Sequence, residues 1–201
     1  MKNKDINNKN VNKVADGDNN TEKTSVKQEI AEWVVVVVLA VVFSVLINTF
    51  ILINATVPTA SMENNVMVGD RLFGYRLAYK KEGPKRGDIV IFKYPDDESQ
   101  LFIKRVIGLP GETVNIVDGK VYIDDSDEPL NEPYLAQEMF GTFGPYTVPA
   151  DSYFMLGDNR NYSRDSRFWD NQFVHRDKII GKALIRYVPK IGKIPYSNPE
   201  Y

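Results

Sequence analysis

The chain has 201 residues, a formal net charge of −2, no cysteine and one histidine, His175. Those facts exclude thiol nucleophiles, disulfides and thiolate metal sites, and leave almost no material for a multi-histidine zinc centre or a Ser-His triad. The length suits one ordinary domain plus short additions, and the balanced charge points to no broad nucleic-acid surface.

Residues 1–32 are rich in Asn, Lys and Asp and have no apolar period. Such a segment cannot bury enough surface to offset its ordering entropy, so a disordered tail is expected. From Trp33 to Ile53 the chain is apolar, interrupted only by Ser44, Asn48 and Thr49. As a helix this stretch spans about 32 Å, which matches the hydrocarbon core of a bilayer. A cleaved signal peptide would have an apolar core of only about 7–15 residues followed by a small-x-small site. The expectation is therefore a retained transmembrane helix over 33–53. Six lysines (Lys2, Lys4, Lys9, Lys13, Lys23 and Lys27) precede it, and no Lys or Arg lies between Ile53 and Arg71. The positive-inside rule then puts the N-terminus in the cytoplasm and residues 54–201 outside.

That external segment reads as mostly β, with an antiparallel sheet. Short β-branched and aromatic runs cover 88–93, 101–107, 113–117, 121–123, 153–156 and 183–188. Pro110-Gly111, Asp118-Gly119, Gly144-Pro145 and Gly157-Asp158-Asn159 supply turns between them. Asp118-Gly119 predicts a hairpin. Outside the span, only 171–178 has the pattern of a short helix.

Three segments carry candidate chemistry. Thr56-Val-Pro-Thr-Ala-Ser61-Met62 follows the span without a charge, and an extended chain keeps Ser61 within about 27 Å of the membrane exit. Taken alone, Ser61 reads as a linker serine. In Leu101–Ile107 the strand period places Phe102, Lys104 and Val106 on one face. Apolar neighbours penalise an ammonium, and burial alone can lower a lysine by the ~3 pH units that a general base near neutral pH requires. The alternative is a lysine that snorkels to water from a strand edge. The third segment, Leu156 to Arg167, packs Asp, Asn, Ser and Arg into one loop. It is either a solvated loop or a scaffold of paired groups in which Asp165 and Arg167 form a fixed ion pair.

Together these segments resemble type I signal peptidases. The likeness rests on Lys104-Arg-Val-Ile-Gly-Leu-Pro-Gly-Glu-Thr-Val, on Gly157-Asp-Asn-Arg with Ser163-Arg-Asp-Ser-Arg167, and on the strand Asp88-Ile-Val-Ile-Phe92. Val121-Tyr-Ile and Asn131-Glu-Pro-Tyr-Leu135 add to it. The resemblance implies a signal-peptidase-like β fold with Ser61 as nucleophile and Lys104 as general base. It further implies Ser163 as the hydroxyl that orients the amine, and Asp165 with Arg167 as support. Met62 would shape the substrate pocket, and the Thr59 hydroxyl would join the Ser61 N–H in holding the oxyanion. The implied reaction is removal of signal peptides from exported preproteins after small-x-small sequences, with no cofactor and no metal.

Two departures accompany the likeness. Thr59 stands where the family has Ser or Gly, and its methyl restricts χ1. Asn64-Asn65-Val66 replaces Pro-Thr-Leu, and loss of the proline is expected to loosen the turn after the nucleophile. Met62, Val66, Met67 and Val68 are expected either to touch lipid or to fill the core of a first strand. His175 and Trp169 are expected to be structural. The acidic runs at 96–98 and 124–128 lack the pattern of a calcium loop.

Overall fold

The computed structural model describes residues 26–194. Most of the tail expected over 1–32 therefore lies outside the described residues. Among the described residues a single α-helix, α1, runs from Val26 to Phe50. It starts earlier than expected because Lys27, Gln28, Glu29 and Ala31 are strong helix formers, and Glu29 in the first turn complements the helix dipole. None of its residues is buried by other parts of the chain, and it is long and apolar enough to cross a membrane. Its C-terminal end falls three residues short of the expected Ile53, since Leu52 already pairs in a strand.

Eleven strands follow: β1 (Leu52–Thr56), β2 (Arg71–Tyr75), β3 (Ile89–Tyr94), β4 (Asp97–Gly108), β5 (Thr113–Val117), β6 (Lys120–Ile123), β7 (Phe143–Thr147), β8 (Ser152–Leu156), β9 (Phe173–His175), β10 (Ile179–Val188) and β11 (Gly192–Lys193). The main sheet has the order β1-β2-β10-β3-β4-β8-β9, with β11 beside β10, and a three-stranded sheet has the order β6-β5-β7. Every pairing is antiparallel.

Burial explains the layout. In β3 the run Ile89-Val90-Ile91-Phe92 is fully buried, as expected for a strand covered on both faces. Ile89 and Ile91 join Ile53, Leu72 and Ala183 on one side, while Val90 and Phe92 join Val106, Met155 and Trp169 on the other. A third core seats the small sheet on the main one, through Val114, Ile116 and Val121 against Ile107, Phe154 and Leu156. The β5–β6 hairpin turns at Asp118 and Gly119 with φ of 48° and 78°, the left-handed pair that its sequence predicts.

Sequence reading missed β1, β2, β7, β9 and β11. β1 continues the apolar run of the helix, and β7 contains the Gly144-Pro145 pair that reads as a turn. In β2, Gly74 weakens the strand signal, yet a Cβ there would sit 2.9 Å from Ile91 Cδ1 and 3.2 Å from the Lys182 carbonyl oxygen. The helix expected over 171–178 is the strand Phe173–His175 followed by one 3-10 turn, Arg176–Lys178, with the His175 side chain accepting from the Asp177 N–H.

Candidate active site

Ser61 lies in a single 3-10 turn, Ala60–Met62. The turn belongs to a loop closed at its base, where Val57 N–H donates to the Asp70 carbonyl at 3.0 Å and Gly69 N–H to the Val57 carbonyl at 2.9 Å. Val57, Met62 and Val66 plug this loop into the core, which explains why a segment without regular structure is held firmly. Met62 and Val66 are thus core residues outside any strand, whereas Met67 and Val68 are exposed.

Lys104 comes from β4, opposite Val90 on β3. It is 3% exposed, and Nζ hydrogen-bonds Ser61 Oγ. Phe102 lies on the same strand face, with its ring centroid 5.6 Å from Nζ. Burial lowers the amine from its ordinary 10.5 to about 8; Asp165 and Asp158 oppose the shift and Arg167 assists it. The desolvation read from strand alternation is present. Thr59 is extended, and its Oγ1 lies 3.3 Å from Ser61 Oγ.

The loop after β8 grips the turn that bears Ser61. Asn159 N–H donates to the Ser61 carbonyl at 3.1 Å, and Asn159 Nδ2 donates to the Ala60 carbonyl at 3.1 Å. Before it, Asp158 receives Arg105 Nε and Nη2 at 2.7 and 2.6 Å in a fully buried pair. Arg105 also donates to the Gly87 carbonyl, and its guanidinium stacks 3.9 Å above the Tyr134 ring. Asn65 Nδ2 donates to Asp158 Oδ2 at 2.8 Å and to the Tyr134 carbonyl at 2.9 Å. The structure therefore closes a ring from Ser61 through Asn65, Asp158 and Arg105 to Lys104.

This corrects the expectation of a loosened turn. Asn64 adopts φ 86°, a left-handed conformation closed to proline and tolerated by asparagine. Its Nδ2 donates to the Tyr134 carbonyl at 3.1 Å, so side-chain amides tie the segment down where ring rigidity is absent.

Gly157 has a steric reason. A Cβ there would stand 2.2 Å from Ser163 Oγ and 2.5 Å from the Ser61 carbonyl oxygen. Ser163 is thereby placed against the Ser61 turn, and its buried hydroxyl has no hydrogen-bond partner among the described residues. Asp165 and Arg167 form the expected ion pair, at 2.8 and 2.9 Å and nearly fully buried. Asp165 also accepts from Gly157 N–H at 3.1 Å, and Arg167 donates to the Arg160 carbonyl at 2.6 Å. Arg160 donates in turn to the Gly157 carbonyl and pairs with Glu132. Asn65, Glu132, Tyr134, Asp158 and Asn159 carry no role in the sequence reading. The contacts that tie them to the Ser61 turn and to the buried arginines span 26 to 99 positions, beyond the reach of local spacing. Among the described residues no His, Cys, Asp and Glu cluster is arranged for a metal. His175 is exposed, with Nδ1 2.7 Å from Asp177.

Beside Ser61 and Lys104 runs a groove of about 520 Å³. Its walls include Asn54–Thr59 at one side and Gln100–Lys104 at the other, with Met62 and Ile91 between. Each wall includes a strand segment with an edge that pairs with no other strand among the described residues. β1 pairs only with β2, and β4 meets β8 only from Arg105 onward.

The family described as signal peptidase, peptidase S26, matches residues 30–188. The chain belongs to that family. A probable signal peptidase I-2 from Synechocystis sp. is 40% identical over 77% of this chain and 72% of its own length. A signal peptidase I from Leptolyngbya laminosa is 41% identical over 78% of this chain and 79% of that protein. The crystal structure of a signal peptidase I from Enterococcus faecalis V583 is 36% identical and covers 50% of this chain and 97% of that one, with a TM-score of 0.44. Like them, this type I signal peptidase is a serine endopeptidase that removes signal peptides from preproteins. Its apolar helix near the N-terminus, the one such helix among the described residues, makes it a membrane-anchored one.

Proposed function

We propose that Ser61 and Lys104 form the catalytic dyad of this peptidase. The observation that carries this reading is the Lys104 Nζ–Ser61 Oγ hydrogen bond inside a site that lowers the amine to about 8. An appreciable fraction of the lysine is then neutral near pH 7, and neutral Nζ takes the proton from the Ser61 hydroxyl. Oγ attacks the scissile carbonyl carbon. The oxyanion is held by the Ser61 N–H and the Thr59 hydroxyl. The Lys104 ammonium returns its proton to the departing amine of the mature protein and leaves an acyl-enzyme. Water then attacks that ester with Lys104 again as base. Ser163 supplies the hydroxyl that orients the amine, and its unpartnered, buried Oγ beside Gly157 supports the role. Asp165 and Arg167 hold Gly157, and with it the turn that bears Ser61.

The substrate segment lies extended in the groove, hydrogen-bonding to the free strand edges, and small side chains on alternate residues satisfy its apolar walls. This favours cleavage after small-x-small, Ala-x-Ala-like sequences, with Met62 shaping the pocket. The lysine-rich residues before the helix favour a cytoplasmic N-terminus and an extracytoplasmic catalytic domain. Exposed Met67 and Val68 contact lipid, while buried Met62 and Val66 do not. Nucleic acid has no part in this reading, given a net charge of −2.

Cleavage of a preprotein in liposomes by wild type, Ser61→Ala and Lys104→Ala is the test. Each variant is expected to lose at least about 10³-fold in kcat. Near-normal turnover by either one removes the dyad.

A further inference from the structure

We propose that Arg164 makes the groove selective for substrates that carry a carboxylate side chain within a few residues of the scissile bond. The inference rests on the peptidase reading above and adds a substrate preference to it.

The groove lining holds two basic residues, Lys104 and Arg164, and no Asp or Glu. Lys104 works as the neutral amine, so in the active form Arg164 is the sole formal charge on the lining. Of the nearby acids, Asp170 is exposed and outside the groove lining, and the others are already committed. Asp158, Glu132 and Asp165 are paired with Arg105, Arg160 and Arg167. Asp96, whose field reaches Tyr94 as that of Arg164 does, accepts the Tyr94 hydroxyl at 2.7 Å and the N–H groups of Asp170 and Asn171 at 3.0 and 2.7 Å. No ion pair or hydrogen bond engages the Arg164 side chain among the described residues.

The mount is rigid although the side chain is exposed. Ser163 is extended, with φ −113° and ψ 124°, so successive side chains alternate. Ser163 and Asp165 face inward, 5% and 0% exposed, while Tyr162 and Arg164 face out along the groove. Gly157 N–H and Arg167 hold Asp165 in place, which fixes the Arg164 backbone between two anchored neighbours. A guanidinium so presented offers a bidentate fork to an Asp or Glu of the bound peptide and repels a Lys or Arg. The Tyr162 hydroxyl, on the same face, is a second donor for the carboxylate.

The experiment uses the full-length protein in liposomes and a set of preproteins differing only in Gln, Glu or Lys at each position flanking the cleavage site. The quantity read is the Glu-to-Lys ratio of kcat/KM within each enzyme, which cancels any general change in activity. For wild type the ratio is expected to reach about two- to fivefold at one or more positions, the size of an exposed ion pair, and to shrink as salt is raised. It is expected to fall to unity in Arg164→Gln and to invert in Arg164→Glu, while Lys120→Gln, a surface change outside the groove, keeps the wild-type ratio. A wild-type ratio of unity at every position overturns the proposal, as does a preference that survives in Arg164→Gln. Ser61→Ala separates the two readings: if it cleaves as fast as wild type, the peptidase assignment of the dyad fails whatever the ratios show.

Discussion

Lys104 and Arg105 are consecutive residues of β4, 3% and 0% exposed, and they face opposite sides of the sheet. Arg105 has a dedicated carboxylate in Asp158, a backbone acceptor at Gly87 and an aromatic ring against its flat face. Lys104 has a serine hydroxyl, an aromatic ring and no carboxylate in salt-bridge contact. A buried guanidinium stays charged and must be paired, so it becomes a rivet. A buried amine without a carboxylate holds its proton less tightly, which is what the proposed base requires. One strand thus positions both the scaffold and the proposed base, and the presence or absence of a carboxylate decides which is which.

The largest expected break in that comparison is Asp158→Ala. It leaves Arg105 charged, buried and unpaired, so the full-length protein in detergent should lose about 3–5 kcal/mol of stability by denaturant titration. Lys104→Met should move the opposite way. The folded site holds the amine near 8 against 10.5 when unfolded. Between those values the unfolded chain binds a proton that the folded chain releases, so wild-type stability rises with pH across that window. At pH 7 the ionisation penalty is largest, and Lys104→Met should exceed wild type by up to about 3 kcal/mol, with the gap closing above about pH 10.5. A methionine variant less stable than wild type at pH 7 contradicts the picture of an unpaired, desolvated amine.

The smallest effect belongs to Asn65→Ala. It removes one donor to Asp158 and one to the Tyr134 carbonyl, for about 1–2 kcal/mol by the same titration. Asn65→Asp should be worse, since it sets a second carboxylate against Asp158. Equal stability of Asn65→Ala and wild type would show that the amides do not secure the turn.

The same contrast explains what the sequence revealed. Lys104 was legible because its environment is local: Phe102 and Val106 share its face through strand alternation alone. The pairing of Asp165 with Arg167 was legible for the same reason, being two residues apart. The partner of Arg105 is 53 positions away, and Asn159 reaches Ala60 across 99, so no local pattern exposes either. Ser61 stands between these cases. Its turn has no propensity signature and is held by core residues and distant backbone donors, so only its place after the span and the family likeness single it out. The strands divide likewise. β3 to β6 have strong apolar runs and turn signals, whereas β1 hides in the helix's apolar stretch and β2 carries a glycine that only close packing explains.

The claim that Lys104 acts as a neutral base is tested most directly by the pH dependence of kcat/KM for preprotein cleavage in liposomes. That profile reports groups of the free enzyme. A single rising limb is expected, with a midpoint near 8, the value set by burial of Lys104. A profile that is flat through this region, or whose limb sits at the ordinary lysine value of 10.5, would contradict it.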